Sequence, residues 1–269
     1  MNQLPLSKKV QIINLLVEGN SLRATARITG ASINTVTKLL VDVGIACQEF
    51  HNEKVIRVST KRIQCDEIWS FVYAKQKNLP DQIEGGDVWT WVGIDADTKL
   101  VVSWLVGDRS AETANIFMQD VCYRLKNRVQ LTTDGHKAYL DAVGNSFGSQ
   151  IDFAQLVKTY GGQQEEIRYS PAECTGAKKT RIEGNPDEKY ISTSYVERQN
   201  LTMRMSMRRF TRLTNAFSKK MENHCYAIAL HFVYYNFCRI HKTLRVTPAM
   251  EAGLINDIME IEDIIRLVI

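Results

Sequence analysis

The sequence has no long apolar run and no closely paired cysteines. No hydrophobic stretch approaches the roughly 20 residues that span a bilayer, and the first residues, MNQLPLSKKVQ, lack the apolar segment of a secretory signal. The six cysteines are scattered without a C-x-x-C pair, which argues against a disulfide framework and against a cysteine-rich zinc site. We therefore expect a cytoplasmic protein that has no membrane partner.

Short catalytic fingerprints and a strong net charge are also missing. The chain has no G-x-S-x-G, P-loop or dinucleotide motif, and its net charge of +4 does not by itself indicate nucleic acid. The charge is unevenly distributed, however. Residues 81–120 carry eight acids and two bases, whereas residues 197–220 carry seven bases and one acid. The basic segment fits either a solvated helix face or a surface that faces phosphates.

The first 46 residues have helical periodicity. Apolar residues recur at helical spacing over residues 7–18, Ser21 and Ser32 are suitable N-caps for two further helices, and Gly30 between them permits a sharp turn. This order predicts a helix-turn-helix DNA-binding domain at residues 1–46. A three-helix cap with no role in DNA binding is the alternative.

The third helix of this domain would be the recognition helix. In that role it would present Asn34, Thr35 and Lys38 to a major groove. Residues 47–60, which follow it, look like a linker to the rest of the chain.

Beyond the linker, the pattern changes to strands, then to a βα unit and finally to helices. This order predicts a mixed α/β domain at residues 61–253. Within it, residues 159–190 are polar and rich in Gly, Glu and Lys, and they read as a long loop. A C-terminal helix is expected at residues 254–269.

Three acidic residues lie where apolar stretches meet polar ones. Asp66 lies within a strand-like run, Asp134 follows another, and Glu197 opens a helix-like run rich in arginine. Three such carboxylates can hold two hard cations for phosphodiester chemistry. Each also has a structural alternative: Asp66 could face solvent, Asp134 could be a turn residue before Gly135, and Glu197 could form a capping box with Ser194.

Five segments share an order with a known family. They are DEIWSFV at Asp66, GIDADTKLVVSW from Gly93, TTDGHKAY around Asp134, YVERQNLTMR around Glu197 and YYNFCRIHKTLRVTPAMEAG from Tyr234. This set resembles the DDE transposases of bacterial insertion sequences, most closely the family of insertion sequence one. Such enzymes carry a basic residue seven positions after the glutamate, and Arg204 stands there in this chain.

The resemblance implies an RNase H-like α/β fold in which helices flank a mixed five-stranded sheet. Asp66 would lie on the first strand, Asp134 just after the fourth, and Glu197 on a later helix. These three residues would be the catalytic residues and would bind Mg²⁺ or Mn²⁺, with two ions expected. The reaction implied is cleavage at transposon ends followed by attack of the freed 3′-OH on target DNA.

The implied partners are double-stranded DNA, from transposon ends and target, and a second copy of the chain, because two ends must be brought together. The protein would then be associated with the nucleoid. The residues expected to contact DNA near the site are His136, Lys137, Arg198, Asn200, Arg204 and Arg208. Two alternatives stay open: an RNase H-like nuclease or resolvase without strand transfer, and a DNA-binding regulator without enzymatic activity.

Overall fold

The computed structural model describes residues 4–161, 173–211 and 215–268. The strands are β1 (Arg62–Val72), β2 (Gly86–Asp95), β3 (Val101–Gly107), β4 (Gln130–Thr133), β5 (Asp152–Gly161) and β6 (Glu173–Glu183). The helices are α1 (Leu6–Val17), α2 (Leu22–Thr29), α3 (Ile33–Lys54), α4 (Ala111–Arg124), α5 (Ala138–Phe147), α6 (Ser194–Ser206), α7 (Met221–Val233), α8 (Pro248–Glu251) and α9 (Ile261–Arg266). Within the described residues, none of the helices combines the length and hydrophobicity needed to cross a membrane.

The six strands form one mixed sheet in the order β3-β2-β1-β4-β5-β6. Strands β1, β2 and β3 pair antiparallel, β4 lies parallel to β1, and β5 lies parallel to β4. Strand β6 returns antiparallel to β5. The predicted mixed α/β fold is confirmed, with the first and fourth strands as neighbours, but the sheet has six strands rather than five.

Helices cover both faces of the sheet, and side-chain alternation along β1 decides which residues reach which face. On one face, Cys65 is buried in the same hydrophobic cluster as Phe117 of α4. On the other face, Ile68 is buried in a second cluster with Val196 of α6 and Phe232 of α7. Neighbouring residues of β1 therefore face different helices, which matters for the acidic residues in this strand.

The three N-terminal helices form where the sequence predicts them. The hydroxyl groups of Ser21 and Ser32 accept hydrogen bonds from the first turns of α2 and α3, and Gly30 takes a left-handed conformation with φ 69° between these helices. Helix α3 then packs along α7. A Cβ atom on Gly44 would overlap the Cβ of Tyr226, so the absence of a side chain at residue 44 permits this close approach.

The linker predicted at residues 47–60 is wrong over its first half, because α3 continues to Lys54. Cys47 and His51 are buried along this extension, and the Nε2 atom of His51 is hydrogen bonded to the carbonyl oxygen of Val102 at 3.1 Å. The burial of these side chains against the sheet explains why the helix does not end near residue 46.

The long polar loop predicted at residues 159–190 is also wrong where the chain is described. Strand β5 extends to Gly161, and β6 pairs with it over Glu173–Glu183, while residues 162–172 lie outside the described residues. Most side chains of β6 are exposed at the edge of the sheet, so this strand needs no apolar pattern. The C-terminal helix expected at residues 254–269 is shorter, because α9 covers only Ile261–Arg266.

Candidate active site

The parallel pairing of β1 and β4 brings Asp66 and Asp134 together. The last aligned pair of these strands is Cys65 with Thr133, so the next residue of each strand is one of the two aspartates. Strand β4 ends at Thr133, whereas β1 continues to Val72. Asp66 therefore lies inside the sheet at the point where its neighbouring strand ends, and Asp134 occupies the opening.

Glu67 is a third carboxylate at this point, and the sequence interpretation missed it. One carboxylate oxygen from each of Asp66, Glu67 and Asp134 lies within 4.8 Å of the other two. Glu67 follows Asp66 directly in β1, so alternation sends it to the opposite face, where the Tyr139 hydroxyl lies beside it. The Asp-Glu pair inside an apolar strand was the only signal in the sequence that could have found it.

Burial and mutual repulsion raise the pKa values of two of these carboxyl groups, those of Asp66 and Glu67. The pKa of Asp66 is raised to about 7, first by burial, then by the negative charge of Asp134 and more weakly by that of Glu197. The pKa of Glu67 is also raised to about 7, by burial and then by Asp134. The amide nitrogen of Asn200 donates a 2.9 Å hydrogen bond to Asp66 Oδ2, which opposes part of the rise at Asp66.

Arg109 supplies positive charge to the cluster. Its Nε and Nη2 atoms both lie 3.2 Å from Glu67 Oε2, and Nη2 lies 3.6 Å from Asp134 Oδ2. The guanidinium also stacks over the Trp89 ring, 4.8 Å from its centroid. The Glu67 side chain is only 1% exposed, so this contact offsets charge that would otherwise be buried without a partner. In the sequence, Arg109 stands out only as one of two bases in an acidic segment.

Glu197 lies on α6, whose N-terminus is attached to β1. The side-chain oxygen of Gln64 accepts hydrogen bonds from the backbone N–H groups of Tyr195 at 2.8 Å and Val196 at 3.2 Å. Because Gln64 and Asp66 are two residues apart on β1, this attachment places the start of α6 on the face of the sheet to which Asp66 points.

The Glu197 carboxylate is bound to Lys158 rather than to the acidic cluster. Lys158 Nζ lies 2.6 Å and 2.5 Å from its two oxygens, and the Thr193 hydroxyl donates to Oε1 at 2.6 Å. Among the described residues, Glu197 is not in the set of ligand atoms within 4.8 Å of one another. The capping box with Ser194 is not formed, because the N-cap of α6 is Thr193.

The donor set of the cluster fits a hard divalent cation. All three side chains offer carboxylate oxygens, the ligands that Mg²⁺ and similar ions prefer. In the described part of the chain, the buried Oε1 atom of Glu67 has no hydrogen bond of ordinary geometry, although the Tyr139 hydroxyl lies beside the carboxyl group. Buried like charges with an unpaired oxygen are stabilised when a cation binds between them.

The predicted DNA-contact residues lie at different depths around the site. Asn200 is buried and bonded to Asp66, and the backbone N–H of His136 donates to Asp134 Oδ1 at 2.9 Å. The exposed members of the set are Lys137, Arg198 and Arg208, and Arg204 is partly buried on α6. The structure brings Asn200 and His136 to the aspartates, whereas a DNA role for the whole set stays a prediction.

The predicted recognition residues of α3 lie at its start. Asn34 and Lys38 are exposed, and Thr35 is partly buried, with its backbone N–H bonded to the capping Ser32. Lys38 also forms an ion pair with Asp42 one helical turn later, at 2.5 Å. These positions are accessible to a ligand, and their role in DNA binding stays a prediction.

Comparison with known proteins gave structural likenesses only. No protein-family model matches the chain, and no curated protein matches it. Solved structures with some likeness include a Mos1 transposase paired-end complex with left transposon end, at 12% identity and a TM-score of 0.23 over 54% of this chain and 58% of that one. A piggyBac transposase synaptic complex with hairpin DNA gives 8% identity and a TM-score of 0.39 over 98% and 69%. A Mos1 mariner paired end complex with Mn gives 8% and 0.30 over 87% and 77%.

This chain thus spans less than two thirds of the first of these proteins. At TM-scores this low, the likenesses carry no argument about function. The functional argument therefore depends on the residues of the site itself.

Proposed function

We propose that this protein is a DDE transposase, which binds the ends of its element, cleaves DNA and joins the freed 3′-OH to target DNA. The observation that carries this proposal is the pair of Asp66 and Asp134, which lie next to each other at the end of β4 with carboxylate oxygens within 4.8 Å. A DNA-binding regulator needs no such pair, so its presence favours an enzyme.

In this proposal Asp66 and Asp134 hold divalent ions, Mg²⁺ or Mn²⁺, and Glu67 contributes a third carboxylate. Bound divalent ions would stabilise the charge that develops on the attacking and leaving oxygens of a phosphodiester. Asn200 holds the Asp66 carboxylate through its hydrogen bond, and Arg109 holds that of Asp134 through its ion pair. Asn200 acts from α6 and Arg109 from the connection between β3 and α4, so the two carboxylates are held from different elements.

Glu197 would complete the site when its carboxylate leaves Lys158. The Glu197 carboxylate is close enough to the cluster for its negative charge to contribute to the raised pKa of Asp66. Arg204 lies two helical turns further along α6, on the same face as Glu197, where it would contact the DNA strand near the site. This combination of a glutamate and a basic residue on one helix supports membership of the insertion-sequence-one-like family.

The remaining parts of the proposal concern partners. Helix α3 would bind transposon ends through Asn34, Thr35 and Lys38, and the protein would act as a homo-oligomer that holds two ends together. The alternative function is an RNase H-like nuclease or resolvase, which needs the same carboxylates but forms no new DNA joint. Strand joining distinguishes the two.

The test uses the purified protein, a linear DNA that carries the sequences flanking its gene, and a supercoiled target plasmid. With Mg²⁺ or Mn²⁺ the wild-type protein should produce joined molecules, which are measured by electrophoresis and by sequencing of the junctions. Asp66→Asn and Asp134→Asn should abolish both cleavage and joining while DNA binding is retained. Glu112→Gln, which removes an exposed acid on α4, is the matched control and should react like the wild type.

Cleavage without any joined product would support the nuclease. Unchanged cleavage by Asp66→Asn would reject the site assignment. Binding of DNA with no metal-dependent cleavage by the wild-type protein would support the regulator.

A further inference from the structure

A cavity of about 880 Å³ opens between the N-terminal helices and the C-terminal end of α6. Its walls come from the end of α1, the start of α2, the first turns of α3, the segment after α6, the segment before α7 and α7 itself as far as His231. Gly19, with φ 81°, allows the α1–α2 turn to pack closely against the end of α6. A Cβ atom at residue 19 would lie only 3.0 Å from the Ser206 carbonyl oxygen. We call this space the α3–α6 cavity.

The charged residues that line the α3–α6 cavity are all basic. They are Arg23, Arg208, Arg209, Lys219 and Lys220. No acidic residue occurs among the described residues of the lining. The Nη1 atom of Arg209 donates to Ser218 Oγ at 2.7 Å, and Arg209 forms no ion pair with the acids of the described chain. The cavity is therefore suited to an anionic ligand.

The rest of the lining includes buried apolar side chains and one buried polar atom that has no partner among the described residues. The buried apolar side chains include those of Leu40 in α3, Met207 after α6 and Leu230 in α7, and we call them the floor of the cavity. His231 also lines the cavity and is only 4% exposed, and within the described residues its Nε2 atom has no hydrogen-bond partner. Burial lowers the pKa of His231 to about 3, so its ring is neutral and can donate or accept one hydrogen bond.

An apolar floor with one polar atom and a wholly basic rim matches the chemistry of a nucleotide. We propose that the α3–α6 cavity binds a nucleotide of unpaired DNA, with its phosphate at the basic rim and its base against the apolar floor. A simple phosphate would leave the floor empty, and a purely apolar ligand would make no use of the five positive charges. The inference rests on the proposed function, since it requires that the protein acts on DNA.

The position of the cavity relative to the candidate active site fits one continuous DNA strand. Ser206 lines the cavity and Glu197 lies at the other end of α6, nine residues away, which corresponds to about 14 Å along the helix axis. A stacked strand rises about 3.4 Å per nucleotide. A strand that runs along α6 would therefore place the bound nucleotide about four nucleotides from the one beside Glu197.

The experiment measures binding of a short fluorescein-labelled oligothymidine by anisotropy, without divalent metal, in the Asp66→Asn protein so that no cleavage interferes. The charge variants are Arg208→Gln and Lys220→Gln. Each should lower the magnitude of the slope of log K against log salt by about 0.7, the value for one phosphate contact on single strands. Lys77→Gln removes an exposed lysine outside the cavity and is the matched control.

The filling variants are Ala227→Phe and, in case that substitution disturbs folding, Asn223→Phe, which is partly exposed. Each should weaken binding of the oligothymidine about tenfold, the loss expected for one base contact, with no change in the salt slope. Circular dichroism establishes that each variant is folded.

Unchanged binding by folded filling variants would overturn the inference, and so would unchanged salt slopes in both charge variants. Neither outcome affects the proposed function. By contrast, a parent protein that binds neither single-stranded nor double-stranded DNA would reject the proposed function itself.

Discussion

Replacement of Asp66 by Asn should stabilise the metal-free protein, because the native carboxylate is held in an unfavourable place. Its pKa is raised from 3.8 to about 7, so the folded protein binds this proton more tightly than the unfolded chain does. A shift of about 3 units corresponds to about 4 kcal/mol at 1.36 kcal/mol per unit. Solvent access to a partly buried group reduces this, and we expect about 2–4 kcal/mol.

The pH dependence of this effect follows from the sign of the shift. Below pH 4 the carboxyl group is protonated in both states and contributes no penalty. As the pH rises from about 4 to 7, the unfolded chain loses the proton first, and the stability of the metal-free protein falls. The gain from Asp66→Asn should thus be complete near pH 8 and absent below pH 4.

The assay is urea denaturation in the presence of a chelator at pH 8 and pH 5, with Glu112→Gln as the control. Asp66→Asn should raise the free energy of unfolding at pH 8, and by a smaller amount at pH 5. Added Mn²⁺ should then stabilise the wild type more than the variant. An Asp66→Asn protein that is less stable than the wild type at pH 8 would refute the reasoning about burial and repulsion.

Three further predictions concern other ionisable side chains. Lys158→Met leaves Glu197 without its counter-charge. If Glu197 takes part in metal binding, Mn²⁺ should bind about fivefold more tightly to this variant, since one such pair is worth about 1 kcal/mol. The affinity is measured by electron paramagnetic resonance, and an unchanged affinity argues against that role. Arg109→Gln leaves the carboxylates of Glu67 and Asp134 without this counter-ion. It should lower the free energy of unfolding at pH 8, measured with urea, by about 2 kcal/mol. An unchanged free energy of unfolding contradicts this. Burial lowers the pKa of His224 to about 3, so the free energy of unfolding falls as the pH drops below about 6.5, where the unfolded chain binds the proton first. His224→Gln should make the decrease in the free energy of unfolding between pH 7 and pH 5 smaller by about 2 kcal/mol. An equal decrease in both proteins contradicts this.

The two aspartates could be predicted from sequence because their signal is local. Asp66 lies within one strand-like run and Asp134 directly follows another, and parallel neighbours place such residues at the same edge of a sheet. The N-caps Ser21 and Ser32 are equally local, since a hydroxyl that bonds to the following turn depends on nothing distant.

Glu67 and Arg109 could not be predicted in this way, because their role depends on where β4 ends relative to β1. Alternation assigns Glu67 to the face opposite Asp66, and only the gap beyond β4 allows carboxylates from both faces to approach Asp134. Arg109 reaches the same place from the connection between β3 and α4. The sequence indicates that a strand ends before Asp134, but it shows neither that this strand lies beside β1 nor that Arg109 approaches the same place.

The failed segment predictions have a similar cause. Strand β6 lies at the edge of the sheet with mostly exposed side chains, so it lacks the apolar alternation that reveals a strand. The extension of α3 to Lys54 depends on the burial of Cys47 and His51 against the rest of the protein. The composition of residues 47–60 does not reveal this burial.

The central claim is that Asp66 and Asp134 together hold the divalent ion that the reaction needs. It is tested most directly by anomalous diffraction from crystals of the wild-type protein soaked in Mn²⁺, with Asp66→Asn crystals treated in the same way. The account predicts an anomalous peak in coordination contact with carboxylate oxygens of both aspartates in the wild type and a weaker peak or none in the variant. A fully occupied Mn²⁺ site elsewhere, with no peak between these two aspartates, would contradict it.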